Sequence, residues 1–260
     1  MHSKTIMAVA LAAALLIGCG VDEQAIHENV SRIQSIGEKE GGSEEEILFL
    51  LDRLENGNAE ERTGAAWALG RSGGQDAVEA LSRAAQKDSD TYVRVNAIKA
   101  LTRFSPEAVR DVLVQQLAAD EEEIQVEALK ALGAERYVSE YHAVGAMCQS
   151  ESAAIRSIAA DTLVRMGNAE ALTYLGPMTS DPDKEVRNIV AFALGKLGDD
   201  TTIALLAPML QDEEWEVRAN AALALGRIGH PSARPALEGV LEDGSNQVRF
   251  AAQKALKTIG

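Results

Sequence analysis

The sequence predicts an all-α solenoid of about seven helical hairpins following one another at a period of about 31 residues. Three observations predict it. Arg62, Arg94, Arg156, Arg187, Arg218 and Arg249 form a column in which Gln125 fills the one gap, with a first step of 32 residues and then 31 throughout. Seven residues after each member stands a leucine, from Leu69 to Leu256, and three after it stands Ala or Val without exception. Aromatic residues are only 4% of the chain while Ala and Leu are abundant, which suits close-packed helices better than a β-sandwich.

The chain opens differently. Residues 1–18 combine one lysine with the apolar run "TIMAVALAAALLI", too short for a comfortable membrane span, as in a secretory leader. The run ends in "LIGC", Leu16 to Cys19, which resembles the lipobox of bacterial lipoproteins. That resemblance implies cleavage before Cys19 and lipidation of its thiol and new amino group. Gly20 then resembles the residue that follows the cysteine in lipoproteins sorted to the outer membrane of Gram-negative hosts. With Cys19 carrying lipid, Cys148 has no partner within the chain and is expected as a small buried apolar residue. Residues 19–42 are polar and acidic and end in "EKEGGSEEE", which reads as a flexible linker holding at most a short helix around "EQAIHENVSRIQSI".

From residue 43 to 260 the repeat takes over. "SEEEILFLLDRLENG" supplies the first helix of the first hairpin, with Ser43 and Glu46 placed for a capping box. In each later unit a first helix such as "TTIALLAPMLQD" precedes a second helix, which carries the arginine. The second helix stops at a glycine, as in "GKLGD" and "GRIGH", where a left-handed turn is expected. Pro177 and Pro208, each ten residues before its arginine, predict a kinked first helix. Acids recur six before the arginine at Asp88, Asp181, Asp212 and Asp243, which predicts an Arg–Asp ladder between units rather than a basic binding track. At the far end Gln253 and Lys257 replace residues that are mostly apolar or glycine in earlier units, so one face of the last helix turns polar and the array ends there. "GAERYVSEYHAVGAMC", Gly133 to Cys148, lacks the usual turn; Tyr137, Tyr141 and His142 gather in it, and a bend in the superhelix is expected.

Two helices in about 31 residues resemble the HEAT repeat, and in particular the short HEAT-like repeat named after phycobilisome lyases. The resemblance implies a right-handed α-solenoid whose second helices line the concave face. It also leaves open an enzyme-maturation or lyase-like factor cradling a small molecule or substrate protein, although an export signal is out of place for a bilin lyase.

Catalytic and metal signatures are weak. "GRSGG", Gly70 to Gly74, fits the G-x-S-x-G pattern but falls at the end of a helix, whereas a nucleophile elbow needs a strand entering a helix. The four histidines are scattered, no Cys/His spacing suits zinc, and phosphate-cradling loops are absent. No metal, cofactor or enzymatic activity is expected. A net charge of −15 argues against nucleic acid as a partner. A basic column nine after the arginine (Arg71, Arg103, Arg165, Lys196, Arg227) reads first as cations favoured at helix C-termini, though if exposed it offers a contact for an acidic protein or glycan.

The variable positions of the second helix are more informative. Five after the arginine stand Trp67, Lys99, Lys130, Asp161, Phe192, Leu223 and Lys254, and Trp215 lies three before Arg218 on the same stripe. Trp67, Lys99, Lys130, Phe192, Trp215 and Leu223 are therefore the candidate partner-binding residues. The expected protein is a monomeric scaffold, anchored in the bacterial envelope by lipid on Cys19, that binds another protein on this stripe.

Overall fold

A computed structural model describes residues 23–39 and 41–259 of the chain. The expected leader, Cys19 and Gly20 lie outside the described residues. Helix α1 (Glu23–Gly37) precedes seven hairpins. In the first three hairpins both helices are continuous: α2 (Glu44–Asn56) with α3 (Ala59–Ser72), α4 (Gln75–Lys87) with α5 (Thr91–Leu101), and α6 (Pro106–Gln116) with α7 (Glu122–Leu132). In the last four the first helix is cut short. α8 (Tyr141–Ala146), α10 (Leu172–Leu175), α12 (Ile203–Met209) and α14 (Arg234–Glu238) are each entered through a 3-10 turn. Their partners α9 (Ala153–Met166), α11 (Lys184–Leu197), α13 (Trp215–Ile228) and α15 (Asn246–Ile259) remain whole. Among the described residues there is no strand, and the molecule is an all-α solenoid.

The second helices stack directly on one another from α1 to α15, and that stack holds the core. The Ala or Val three after each arginine is buried in every hairpin, as is the leucine seven after it in all but the last. Helix ends follow local chemistry. Ser43 accepts from the Glu46 N–H at 3.2 Å while Glu46 accepts from the Ser43 N–H at 2.9 Å, a capping box. Asn58 and Glu61 repeat that arrangement at the start of α3. Gly229 closes α13 at φ +72°, but Gly198 closes α11 at φ −80°, so the left-handed turn expected in "GKLGD" does not form there. A Cβ on Gly198 would lie 2.3 Å from the Leu194 carbonyl oxygen, so close approach is what glycine supplies at that site. Pro208 lies inside α12 and Pro177 opens the 3-10 turn Gly176–Ser180.

Within the segment expected as a flexible linker, Glu23–Gly37 forms a packed helix. α1 packs on α3 with Ile33 and Ile36 each 2% exposed, Asn29 donates to Glu61 at 2.6 Å, and Arg71 donates to the Gly37 carbonyl. The physical reason is that the outward face of α3 needs a cover, and two isoleucines one turn apart provide it. α1 is the N-terminal cap of the array. The opposite cap is α15, where Gln253 and Lys257 are exposed while the equivalent residues of α13, Ala222 and Gly226, are buried.

Two devices fix the spacing of the stack. The first is a glycine–alanine seam: a Cβ on Gly70 would meet Ala100 Cβ at 2.9 Å, one on Gly195 would meet Ala224 at 2.5 Å, and one on Gly226 would meet Ala255 at 2.6 Å. Thr102 and Val164 replace the glycine in the second and fourth hairpins. Gly133 faces the Arg165 guanidinium, and in α9 the bulkier Thr162 stands where the seam has alanine.

The second device is the arginine column. Arg156, Arg187 and Arg218 each grip the aspartate of the next hairpin with both Nε and Nη2, at 2.7–2.8 Å to Asp181, 2.7–3.0 Å to Asp212 and 2.8–3.0 Å to Asp243. Arg62 holds Asp88 in the same way. The other arm of the guanidinium reaches the carbonyl six residues back, as Arg187 does to Asp181 at 2.9 Å and Arg218 to Asp212 at 2.7 Å. Each aspartate also accepts the N–H two residues on, so one carboxylate closes a turn and ties two hairpins. Burial pushes the Asp181 and Asp212 carboxyls up, but the hydrogen bonds from Arg156 and Arg187 and from the turn N–H outweigh it and hold both below the usual range. Asp243 is held low first by Arg218.

The ladder is interrupted once. Ala119 stands where an aspartate would, and Arg94 turns instead to Glu121. Gln125 keeps the carbonyl hook, to Ala119 at 2.7 Å, but is uncharged. Ser150 keeps the turn, accepting from the Ser152 N–H, but is not an acid. The three junctions from α5 to α11 lack the glycine–alanine seam, and the interruption falls among them. The first helix here is broken into the 3-10 turn Glu135–Glu140, α8 and the 3-10 turn Met147–Gln149.

Candidate functional site

Helical geometry sorts the second-helix residues sharply. Position three after the arginine faces the core, position four does so in every hairpin but the last, and position five faces out: Trp67, Lys99, Lys130, Asp161, Phe192, Leu223 and Lys254 are all exposed. Among the described residues, six of the eight exposed large hydrophobic residues sit on second helices: Trp67, Tyr92, Phe192, Trp215, Leu223 and Phe250. The others are Leu48 and Val138.

The structure does not gather all the candidates together. Trp67, Lys99 and Lys130 belong to α3, α5 and α7, whereas Phe192, Trp215 and Leu223 belong to α11 and α13, with α9 and its Asp161 between. Trp67 also packs locally. Its ring lies over Gly37, where a Cβ would come within 2.0 Å, and the Arg71 guanidinium sits 5.6 Å from the ring centre. It clamps the cap helix while remaining 42% exposed. Lys99 lies 3.9 Å from Glu127. Lys130, Tyr92, Val95, Val126 and Glu127 line a shallow depression of 630 Å³ between α5 and α7.

At the other end Leu223 is the residue level with Phe192 in the neighbouring helix. Trp215, expected near Phe192, starts α13 two turns away from that level, roughly 12 Å along the axis at 1.5 Å per residue. Arg227 stands 5.2 Å over the Phe192 ring. Phe250, 68% exposed on α15, joins this group and was not among the residues singled out from sequence. Its signal was present, since it occupies the variable position one after the arginine, a turn before the stripe that Trp67 and Phe192 share.

Elsewhere the structure places the other singled-out residues as packing. Ser72 of "GRSGG" is buried in the last turn of α3. Cys148 is 6% exposed and burial pushes its thiol up to about 12, an unreactive sulfur. Tyr137 is buried, and the Tyr141 and His142 rings of α8 lie 4.0 Å apart. Those two pack against Tyr174 of the next hairpin, with His142 Nδ1 2.7 Å from the Tyr174 hydroxyl and Tyr141 donating to Glu170. Among the described residues no group of three His, Cys, Asp or Glu side chains is placed to hold a metal.

A stack of helical hairpins with buried arginine–aspartate ties and an outward second-helix stripe is a HEAT-type solenoid. The sequence matches the HEAT repeats family over residues 47–133 and 174–257, more than half of the chain, and the protein belongs to that family. The unmatched stretch between contains the interrupted fourth hairpin. A comparison with curated proteins finds no match. Among solved structures, an engineered protein is similar at TM-score 0.57 and 21% identity, covering 98% of this chain and 80% of that one. The Escherichia coli protein YibA is similar at TM-score 0.54 and 17% identity, covering 94% and 99%. The complex of CpcE and CpcF of phycocyanin lyase from Nostoc sp. PCC7120 stands at TM-score 0.48 and 21% identity, covering 82% and 94%. At these identities the likeness to the engineered protein and to YibA is one of fold.

Proposed function

We propose that the protein is a lipid-anchored, extracytoplasmic scaffold that captures another protein on the outward face of its second helices. The observation that carries this reading is the concentration of exposed Trp, Tyr, Phe and Leu on those helices, in a chain with few aromatic residues. Repetition builds a long surface, and the variable positions decorate it. Cys19 supplies the anchor in the bacterial envelope, on the outer membrane facing the periplasm in a Gram-negative host, and the body works as a monomer.

The test is crosslinking and pull-down from membranes with the full chain, comparing wild type with Phe192→Glu/Leu223→Glu. A partner protein captured by the wild type and lost by the variant, with helicity unchanged, supports the reading. Equal capture by both moves the contact to another surface. Cys19→Ser is expected to release the protein from the membrane fraction, and retention would rule out the lipid anchor.

A further inference from the structure

The three second helices nearest the C-terminus repeat one arrangement. Each carries an exposed apolar side chain followed one turn later by an exposed cation: Phe192 and Lys196 on α11 and Leu223 and Arg227 on α13, five and nine after the arginine, and Phe250 and Lys254 on α15, one turn earlier at one and five. Residues four apart lie on one helix face, so the stack presents an apolar rail beside a basic rail, both stepped by about 6 Å toward the helix start at α15. The apolar members are 43%, 40% and 68% exposed. Among the described residues none of the three cations forms an ion pair, although the chain carries 40 acids against 25 basic residues. The arginines of the ladder on the same helices show the contrast, since Arg187 and Arg218 are both spent on aspartates. Helix dipoles favour a cation at the end of α11 or α13, but they do not explain why each cation follows an exposed apolar residue by four.

Resting on the scaffold reading, we propose that these two rails bind an acidic, apolar segment of the partner protein in extended conformation. Charge complementarity selects the acid, because a basic segment would meet the rail of Lys196, Arg227 and Lys254. The apolar rail selects a peptide over a polyanion, since sulfated glycans and nucleic acids carry no side chains to cover Phe192, Leu223 and Phe250. Neighbouring helices stand roughly 8–10 Å apart. An extended polyproline-type chain rises about 3.1 Å per residue with three residues per turn, so every third side chain returns to one face after about 9 Å. An apolar residue and an acid that each recur every third position therefore meet α11 and α13 in register, and the chain reaches the pair on α15 by crossing the stack obliquely.

The probe is a fluorescein-labelled peptide of four Leu-Glu-Pro repeats, read by fluorescence anisotropy against the full chain. Peptides of Leu-Lys-Pro and Ser-Glu-Pro repeats, and heparin, serve as comparisons. The Leu-Glu-Pro peptide is expected to bind at least tenfold tighter than all three, weakening as salt rises. Lys196→Glu/Arg227→Glu is expected to reverse the preference to Leu-Lys-Pro, while Arg83→Glu, exposed on the first helix α4 away from the second-helix stack, leaves it unchanged. Both rail residues are exposed, and an unchanged helical spectrum keeps the variant interpretable. Absence of Leu-Glu-Pro binding, equal binding of heparin or Ser-Glu-Pro, or a preference that survives charge reversal would each overturn the proposal. If the membrane pull-down still captures a partner through Phe192 and Leu223 while these peptides fail, the scaffold reading stands and only the acidic-segment inference falls.

Discussion

Arg187→Leu tests whether the ladder holds neighbouring hairpins together. The substitution removes two charge-assisted hydrogen bonds to Asp212, at 2.7 and 3.0 Å, and the 2.9 Å bond to the Asp181 carbonyl. Both side chains of the pair are only 9% exposed, so Asp212 is left largely desolvated with the Glu214 N–H at 2.9 Å as its remaining bond. A surface pair is worth under about 1 kcal/mol, whereas breaking a buried pair costs about 3–5 kcal/mol. A site at the solvent edge of the stack belongs near the lower end of the second range, at about 3 kcal/mol. With a urea slope of about 3 kcal/mol/M, that moves the midpoint down by about 1 M. The assay is urea unfolding followed at 222 nm, with hydrogen exchange resolving the fifth and sixth hairpins because solenoids can open locally. Arg187→Leu/Asp212→Leu removes the stranded charge and is expected to recover at least half of the loss. A single-variant midpoint within 0.2 M of wild type, or a double variant no better than the single, would refute the reasoning.

The ladder also sets an acid limit. Because the folded Asp181, Asp212 and Asp243 titrate below the unfolded value near 3.8, their contribution is intact above that pH and is lost as pH falls through the folded values. An acid titration of unfolding midpoint should therefore fall away below about pH 4, less steeply in Asp243→Asn. Gly195→Val, whose side chain would drive into Ala224, should cost about 1–3 kcal/mol by forcing α11 and α13 apart, measured by thermal unfolding. Repairing the interruption with Gln125→Arg and Ser150→Asp should raise stability by about 1–2 kcal/mol, and neither change alone should do so, as a double-mutant cycle would reveal. Cys148 should resist thiol reagents at neutral pH until the chain unfolds; rapid labelling of the native protein at that position would contradict its burial.

The second helices were legible from sequence because each must present the same face to two neighbours, which imposes the 31-residue spacing on Ala, Leu and Arg. The first helices were less legible. They meet fewer constraints, and Gly176, Pro177, Pro208 and Pro235 let them shorten into 3-10 turns without disturbing the stack. α1 was hidden for a different reason: a cap is buried on one side only, so Ile33 and Ile36 carry its packing without the full repeat signature. The stripe of candidates was readable as positions but not as neighbours. That Trp67 rests on Gly37, and that Arg227 covers Phe192, depends on contacts between segments 30 or more residues apart.

The gap in the ladder has a mechanical corollary. Three hairpins lie beyond it, a lever arm of roughly 30 Å at about 10 Å per helix. A rotation of about 10° at the fourth hairpin then carries α15 through about 5 Å, while within the fifth to seventh hairpins the glycine seams and aspartate ties keep Phe192, Leu223 and Phe250 in fixed relation. A rotation at that hairpin would aim the C-terminal face without reshaping it.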